Sequence, residues 1–138
     1  MSAGDNKRLV RRYLDEVWAK GNIEGSASFL SPGYRRHVGP LSPPLSREGQ
    51  IQRLHAFRNG FPDARVTIED ILGEGDRVAF RFMLRGTHEG VFQEIEPTGI
   101  RVEAPGLDIV RIEDNRLAEH WGGVDLSVLL AQLRHSAR

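Results

Sequence analysis

The stretch Arg77-Val78-Ala79-Phe80-Arg81-Phe82-Met83-Leu84-Arg85 decides the fold. Val78, Phe80, Phe82 and Leu84 recur at every second position, with Arg81 and Arg85 on the opposite face. That is the period of a strand with one face buried. The same period starts upstream, where Val66 and Ile68 alternate with Arg65, Thr67 and Glu69, and Gly73-Glu74-Gly75-Asp76 supplies the turn between the two runs. Downstream, Pro97-Thr98-Gly99 marks another turn. Ile100 to Ile112 reads as a strand interrupted at Pro105-Gly106, and Asp114-Asn115 reverses the chain into Leu117 to Val124. The connections are too short for crossovers, so these strands are expected to run antiparallel.

Before this run the period is helical. Val10, Tyr13, Leu14, Val17 and Trp18 place an amphipathic helix over Asn6 to Lys20, ended by Gly21. A short helical turn is expected through Ile23 to Leu30. Ser31 to Pro44 contains four prolines and two glycines, which predicts an irregular crossing segment with Tyr34 to Val38 extended inside it. Ser46 is placed to cap a further helix whose buried face holds Ile51, Leu54 and Phe57 or Arg58, and Gly60 and Pro62 stop it. Asp125 caps a last helix bearing Leu126, Leu129, Leu130 and Leu133. Helices, then strands, then one helix predict an α+β fold in which a curved antiparallel sheet wraps over helices.

A chain of 138 residues is expected to form one domain over 1–138 and is long enough for a core of its own. Its 19 basic and 19 acidic residues cancel, which argues against binding nucleic acid or an anionic membrane through overall charge. With no cysteine, disulfides, thiol catalysis and Cys-based zinc sites are excluded. Met1 to Val10 lacks the apolar segment of a signal peptide, and no apolar run is long enough to span a membrane. A soluble, cytoplasmic protein is expected. Arginine supplies all but Lys7 and Lys20 of the positive charge; a GC-rich genome accounts for that bias without invoking function.

Asp108 stands out chemically. It lies in Gly106-Leu107-Asp108-Ile109-Val110-Arg111-Ile112, flanked on both sides by apolar residues. Aspartate is depleted in strands, and burying an unpaired carboxylate costs several kcal/mol. A partner, a raised pKa or a water-filled cavity must offset that cost. A carboxyl lifted toward neutrality suits proton transfer, whereas an aspartate held by an arginine or by backbone donors is structural. By alternation His88 shares a face with Phe80, Phe82 and Leu84 unless Gly86 introduces a bulge, and His37 follows Tyr34 in the extended segment. Each is either a pocket acid/base partner or a satisfied interior polar group. Glu119 and Trp121 share parity with Leu117 and are expected to face inward, Trp121 as an aromatic wall or as ordinary core. Arg81 is expected either to pair with a carboxylate across the sheet or to lie on a dimer surface. There is no phosphate-binding glycine loop, no Gly-x-Ser-x-Gly elbow and no His-Glu-x-x-His pair, and the histidines lack metal-ligand spacing. A metal-free site is expected as the simplest reading.

Several segments together resemble the SnoaL-like polyketide cyclase family. They are Tyr34-Arg35-Arg36-His37, Phe61-Pro62-Asp63-Ala64-Arg65-Val66-Thr67-Ile68-Glu69-Asp70, Gly75-Asp76-Arg77-Val78-Ala79-Phe80-Arg81-Phe82 and Arg85-Gly86-Thr87-His88-Glu89-Gly90-Val91-Phe92. Pro97-Thr98-Gly99, Asp108-Ile109-Val110-Arg111 and Glu119-His120-Trp121 with Asp125 complete the match in order. The resemblance implies the cone-shaped fold shared with nuclear transport factor 2 and ketosteroid isomerase, one deep apolar pocket and a homodimer. It also implies that Asp108 is the acid/base residue, assisted by His88 or His37, with Tyr34, Trp18, Phe57, Phe80, Glu119 and Trp121 contacting substrate. Gln93-Glu94-Ile95-Glu96 departs from the family's small, glycine-containing stretch and brings Glu94 and Glu96 near the expected pocket mouth. The implied activity is cofactor-independent ring closure in a polyketide-type small molecule. A non-catalytic carrier, an isomerase or epoxide hydrolase on the same fold, and a dimeric interaction domain are the alternatives.

Overall fold

Ser2 opens the first helix with a capping box: its hydroxyl accepts the Asp5 amide at 3.0 Å while the Asp5 carboxylate accepts the Ser2 amide at 3.2 Å. The computed structural model, which describes residues 2–136, therefore starts α1 at Ala3, three residues before the expected start at Asn6. α1 (Ala3–Leu14) continues into one widened turn over Asp15–Ala19, and a 3-10 turn follows at Glu24–Ser28. Next come β1 (Leu30–His37), α2 (Arg47–Gly60), β2 (Arg65–Glu74), β3 (Arg77–Thr87), β4 (Arg101–Glu113), β5 (Arg116–Val124) and α3 (Leu126–Ser136). Ser46 caps α2 by accepting the Gly49 amide, and Asp125 caps α3 by accepting the Val128 amide. No helix among the described residues is long and apolar enough to cross a membrane.

The five strands form one sheet in the order β1-β5-β4-β3-β2, and β2 to β5 pair antiparallel. β1 corrects the expectation of a wholly antiparallel sheet. Tyr34 to Val38 is not an isolated extended piece; most of it belongs to an eight-residue strand that runs parallel to β5, with Arg36 opposite His120. Short connections constrain only strands adjacent in sequence, and β1 meets a partner more than eighty residues away.

β4 is also continuous where an interruption was expected. Pro105 sits opposite Met83, one residue beyond the last β4–β5 pair, Gly106 with Val124. Its nitrogen thus faces a position where no β5 residue needs a donor, and its carbonyl, on that same side, accepts the Asp125 amide. Gly106 makes room for an aromatic ring, because a Cβ there would lie 2.0 Å from Phe82 Cζ.

Between β4 and β5 the register slips: Ile112 pairs with Leu117 but Arg111 pairs with Glu119. Ala118 is the extra residue of a β-bulge, and Leu117 and Ala118 are both buried in succession. The slip reverses the facing of every later residue in β5. His120 therefore points into the molecule, and Glu119 and Trp121, expected inward by parity with Leu117, point to the other side. The concave face collects Val78, Phe80, Phe82 and Leu84 of β3 with Val102, Ala104, Val110 and Ile112 of β4. Against it pack Leu9, Val10, Tyr13 and Val17, Leu54 and Phe57 of α2, and Leu129 and Leu133 of α3. The result is an α+β cone with helices across its open side.

Candidate active site

Three neighbouring strands each place one polar side chain on the concave face: Arg36 from β1, His120 from β5 and Asp108 from β4. Only 2%, 2% and 5% of their surfaces are exposed. Buried this deeply, they satisfy one another wherever geometry allows. Arg36 Nη1 lies 3.0 Å from His120 Nδ1, and a guanidinium can only donate. Nδ1 must therefore accept, so the imidazole proton sits on Nε2, which donates to Asp108 Oδ2 at 2.9 Å. Tyr34 supports this tautomer from behind, its hydroxyl 3.1 Å from the same Nδ1. Burial, joined by the charge of Arg36, drives the His120 pKa down to about 4, which keeps the ring neutral.

Of the two readings of Asp108, the structure realises the partnered carboxylate. Burial pushes its carboxyl up, but His120, Arg36 and Arg53 together pull harder, and its pKa falls below the ordinary value. Burial, which favours the neutral carboxyl, is legible along one strand, whereas the partners that decide against it, His120, Arg36 and Arg53, come from β5, β1 and α2. Arg36 reaches Asp108 Oδ1 only at 3.7 Å, while its Nη2 donates to Gly122 O at 2.9 Å. Asp108 Oδ1 has no hydrogen bond among the described residues. One oxygen of the ionised carboxylate is thus clamped by His120, and the other faces Arg36 at 3.7 Å without a hydrogen bond.

Asp108 and His120 border a narrow cavity of about 30 Å³ inside the cone, walled by Trp18, Phe57, Phe80 and Phe82. That is space for one or two waters. A wider cavity of about 790 Å³ lies outside it, bordered by His37, Trp121, Phe57, Phe92 and the Gly122-Gly123 pair. This volume falls within the usual range for small-molecule sites. Arg53, Phe57 and Val124 border both, so the single deep pocket expected is divided at these side chains.

The predicted site residues are distributed accordingly. Asp108, Trp18, Phe57 and Phe80 border the inner cavity. Tyr34 lies behind it on His120. His37 and Trp121 border the outer cavity and stack on each other at 5.3 Å. Glu119 borders neither; on the far side of the sheet it bonds His37 Nε2 at 2.6 Å and Arg111 Nε at 3.3 Å. His88 also borders neither. It is fully buried against Phe61, where its Nδ1 accepts the Thr98 amide at 3.1 Å and so fastens the 88–99 loop. The structure therefore does not bring Asp108, His88 and His37 together. Gln93 borders the outer cavity, whereas Glu94 and Glu96 border neither. Arg81 pairs with Asp70 of β2 across the sheet at 3.7 Å.

Three residues of the site were missed: Arg36, His120 and Arg53. Arg36 shares parity with Tyr34, and the apolar doublet Leu117-Ala118 is the mark of the bulge that turns His120 inward. Arg53 lies three residues after buried Gln50 and four before Phe57, on their side of α2. Each signal was present, and none was decisive without knowing which faces meet.

No sequence among curated proteins matches this chain. Solved structures do. AclR, a candidate hydroxylase from Streptomyces galilaeus, superposes with a TM-score of 0.87 at 26% identity, covering 97% of this chain and 83% of its own. A candidate polyketide cyclase from Acidithiobacillus ferrooxidans gives 0.82 at 28% identity, covering 99% of both chains. IdmH, a candidate polyketide cyclase from Streptomyces antibioticus, gives 0.79 at 31% identity over 94% of this chain and 98% of its own. The family model described as SnoaL-like polyketide cyclase matches residues 8–133, and the chain belongs to that family.

Proposed function

We propose that this protein closes a ring in a polyketide-type molecule, with Asp108 as general base and then general acid. The observation that carries the proposal is an ionised Asp108 that borders an aromatic-walled cavity and whose Oδ1 makes no hydrogen bond among the described residues. In the first step Oδ1 takes a proton from a carbon between two carbonyls. The C–H electron pair becomes an enolate, and Asp108 becomes the acid. The enolate carbon then adds to a distant carbonyl of the same chain, and the resulting alkoxide recovers the proton from Asp108. The product is an isomer of the substrate, or is lighter by one water if dehydration follows.

His120 and Arg36 position the base. A neutral His120 fixes Oδ2 without the pull of a full positive charge, so Asp108 keeps more of its basicity than it would beside imidazolium. An apolar substrate face packed beside Asp108 keeps it out of water, which favours the protonated carboxyl. Phe57, Phe92 and Trp121, which border the outer cavity, favour folded substrate conformers, and holding one such conformer supplies several kcal/mol of the barrier.

One observation favours a carrier instead: the Asp108 carboxyl lies below its ordinary pKa, with Arg36 close by. The two readings separate in one experiment. Wild type and Asp108→Asn are each incubated with metabolite extract from a strain lacking the gene, followed by liquid chromatography and mass spectrometry. Conversion to an isomer by wild type alone supports the cyclase; ligand retained unchanged by both proteins supports the carrier. We also propose a homodimer, because Leu107 and Ile109 leave apolar surface exposed on the convex face. Light scattering during gel filtration tests this, and a monomer mass refutes it.

A further inference from the structure

Among the described residues, Arg53 is a cation with no hydrogen-bond or ion-pair partner. Its half-buried side chain reaches from α2 to the point where the two cavities meet. The guanidinium lies over the Phe57 ring at 4.9 Å and approaches the glycine pair at the end of β5. A Cβ on Gly123 would lie 3.4 Å from Arg53 Nη2 and 2.9 Å from Arg36 Nη2, so both guanidiniums converge there. Arg36 is engaged by His120, Gly122 and Asp108. Arg53 makes no hydrogen bond and no ion pair among the described residues.

The charges around the cavities do not balance. Arg36 and Arg53 border the inner cavity with a single carboxylate, Asp108, and His120 is neutral. The outer cavity adds no carboxylate. Burial and the charge of Arg36 pull the Arg53 pKa down to about 10, so it remains a cation at neutral pH. A half-buried guanidinium favours an acceptor that replaces its lost hydration, and its flat fork of donors fits two coplanar oxygens.

We propose that Arg53 anchors a planar anionic oxygen group of the ligand, a carboxylate or the enolate of a 1,3-dicarbonyl, with the remainder of the molecule in the outer cavity. Asp108 repels the anion from the inner end, so the ligand enters with its charge at Arg53 and its reacting carbon toward Oδ1. The orientation rests on the base role of Asp108; the anion preference does not.

Isothermal titration calorimetry with 2-naphthoate and its neutral counterpart 2-naphthamide tests the anchor. Wild type should bind the carboxylate roughly tenfold more tightly than the amide, a typical yield for one charge-assisted contact. Arg53→Met should bring the ratio to about one without weakening the amide, and Arg53→Lys should keep part of the preference. Dimedone, ionised at neutral pH, against neutral 3,3-dimethylcyclohexanone repeats the comparison for an enolate. Equal affinity of wild type for both members of both pairs overturns the proposal without relying on any variant to fold. So does a preference that survives in Arg53→Met. Asp108→Asn should bind naphthoate more tightly than wild type. If turnover fails to depend on Asp108 while the Arg53 preference holds, the catalytic reading falls and the anchor stands.

Discussion

Acid should weaken this protein through His120 before its carboxylates titrate. Burial and Arg36 hold the folded-state pKa near 4 against an ordinary 6.5. The unfolded chain therefore binds a proton in this window that the folded chain refuses. Because the folded pKa is the depressed one, the histidine has no effect above pH 6.5. It costs stability progressively as pH falls from 6.5 to about 4, and the loss is complete below that. At 1.36 kcal/mol per pKa unit, the whole effect is about 3 kcal/mol, a large share of the 5–15 kcal/mol typical of a domain. Urea unfolding, followed by circular dichroism at intervals between pH 7.5 and pH 4, reads this directly. Wild type should lose that amount more than His120→Gln, which starts less stable but has no imidazole to titrate. The difference between the two curves isolates His120 from the other histidines. Parallel curves would refute the buried neutral tautomer, and so would an NMR titration in which the His120 ring protonates near pH 6.5.

Asp108→Asn should lower turnover by about 10²–10⁴, the usual contribution of a general base, while far-ultraviolet circular dichroism stays unchanged; a variant retaining a third of wild-type turnover removes Asp108 from the chemistry. Gly122→Ala should destabilise by more than about 2 kcal/mol, because its φ is 93° and a Cβ would sit 2.1 Å from the Leu107 carbonyl oxygen; a melting temperature within two degrees of wild type contradicts that packing. Glu119→Gln should leave kcat within about twofold, since its carboxylate bonds His37 and Arg111 outside both cavities; a hundredfold loss of kcat would return Glu119 to the site.

The residues themselves determined what depends on near neighbours. The period-two run from Val78 to Leu84, the helical period through Val10 and Tyr13, the turns at Gly75-Asp76 and Asp114-Asn115, and the caps Ser46 and Asp125 were legible because propensity and alternation act over a few residues. Asp108 was legible for the same reason, as a carboxylate between Leu107 and Ile109 contradicts its own strand. Contacts across large sequence separations decided the rest. β1 pairs with β5, and one extra residue at Ala118 rotates His120 into the cavity and Glu119 out of it, which no count of alternate positions foresees without the partner strand's register. The ionisation of Asp108 was decided in the same way. Burial can be read along one strand, but the groups that outweigh it are His120 on β5, then Arg36 on β1 and Arg53 on α2, and their effect depends on distance in space rather than separation along the chain.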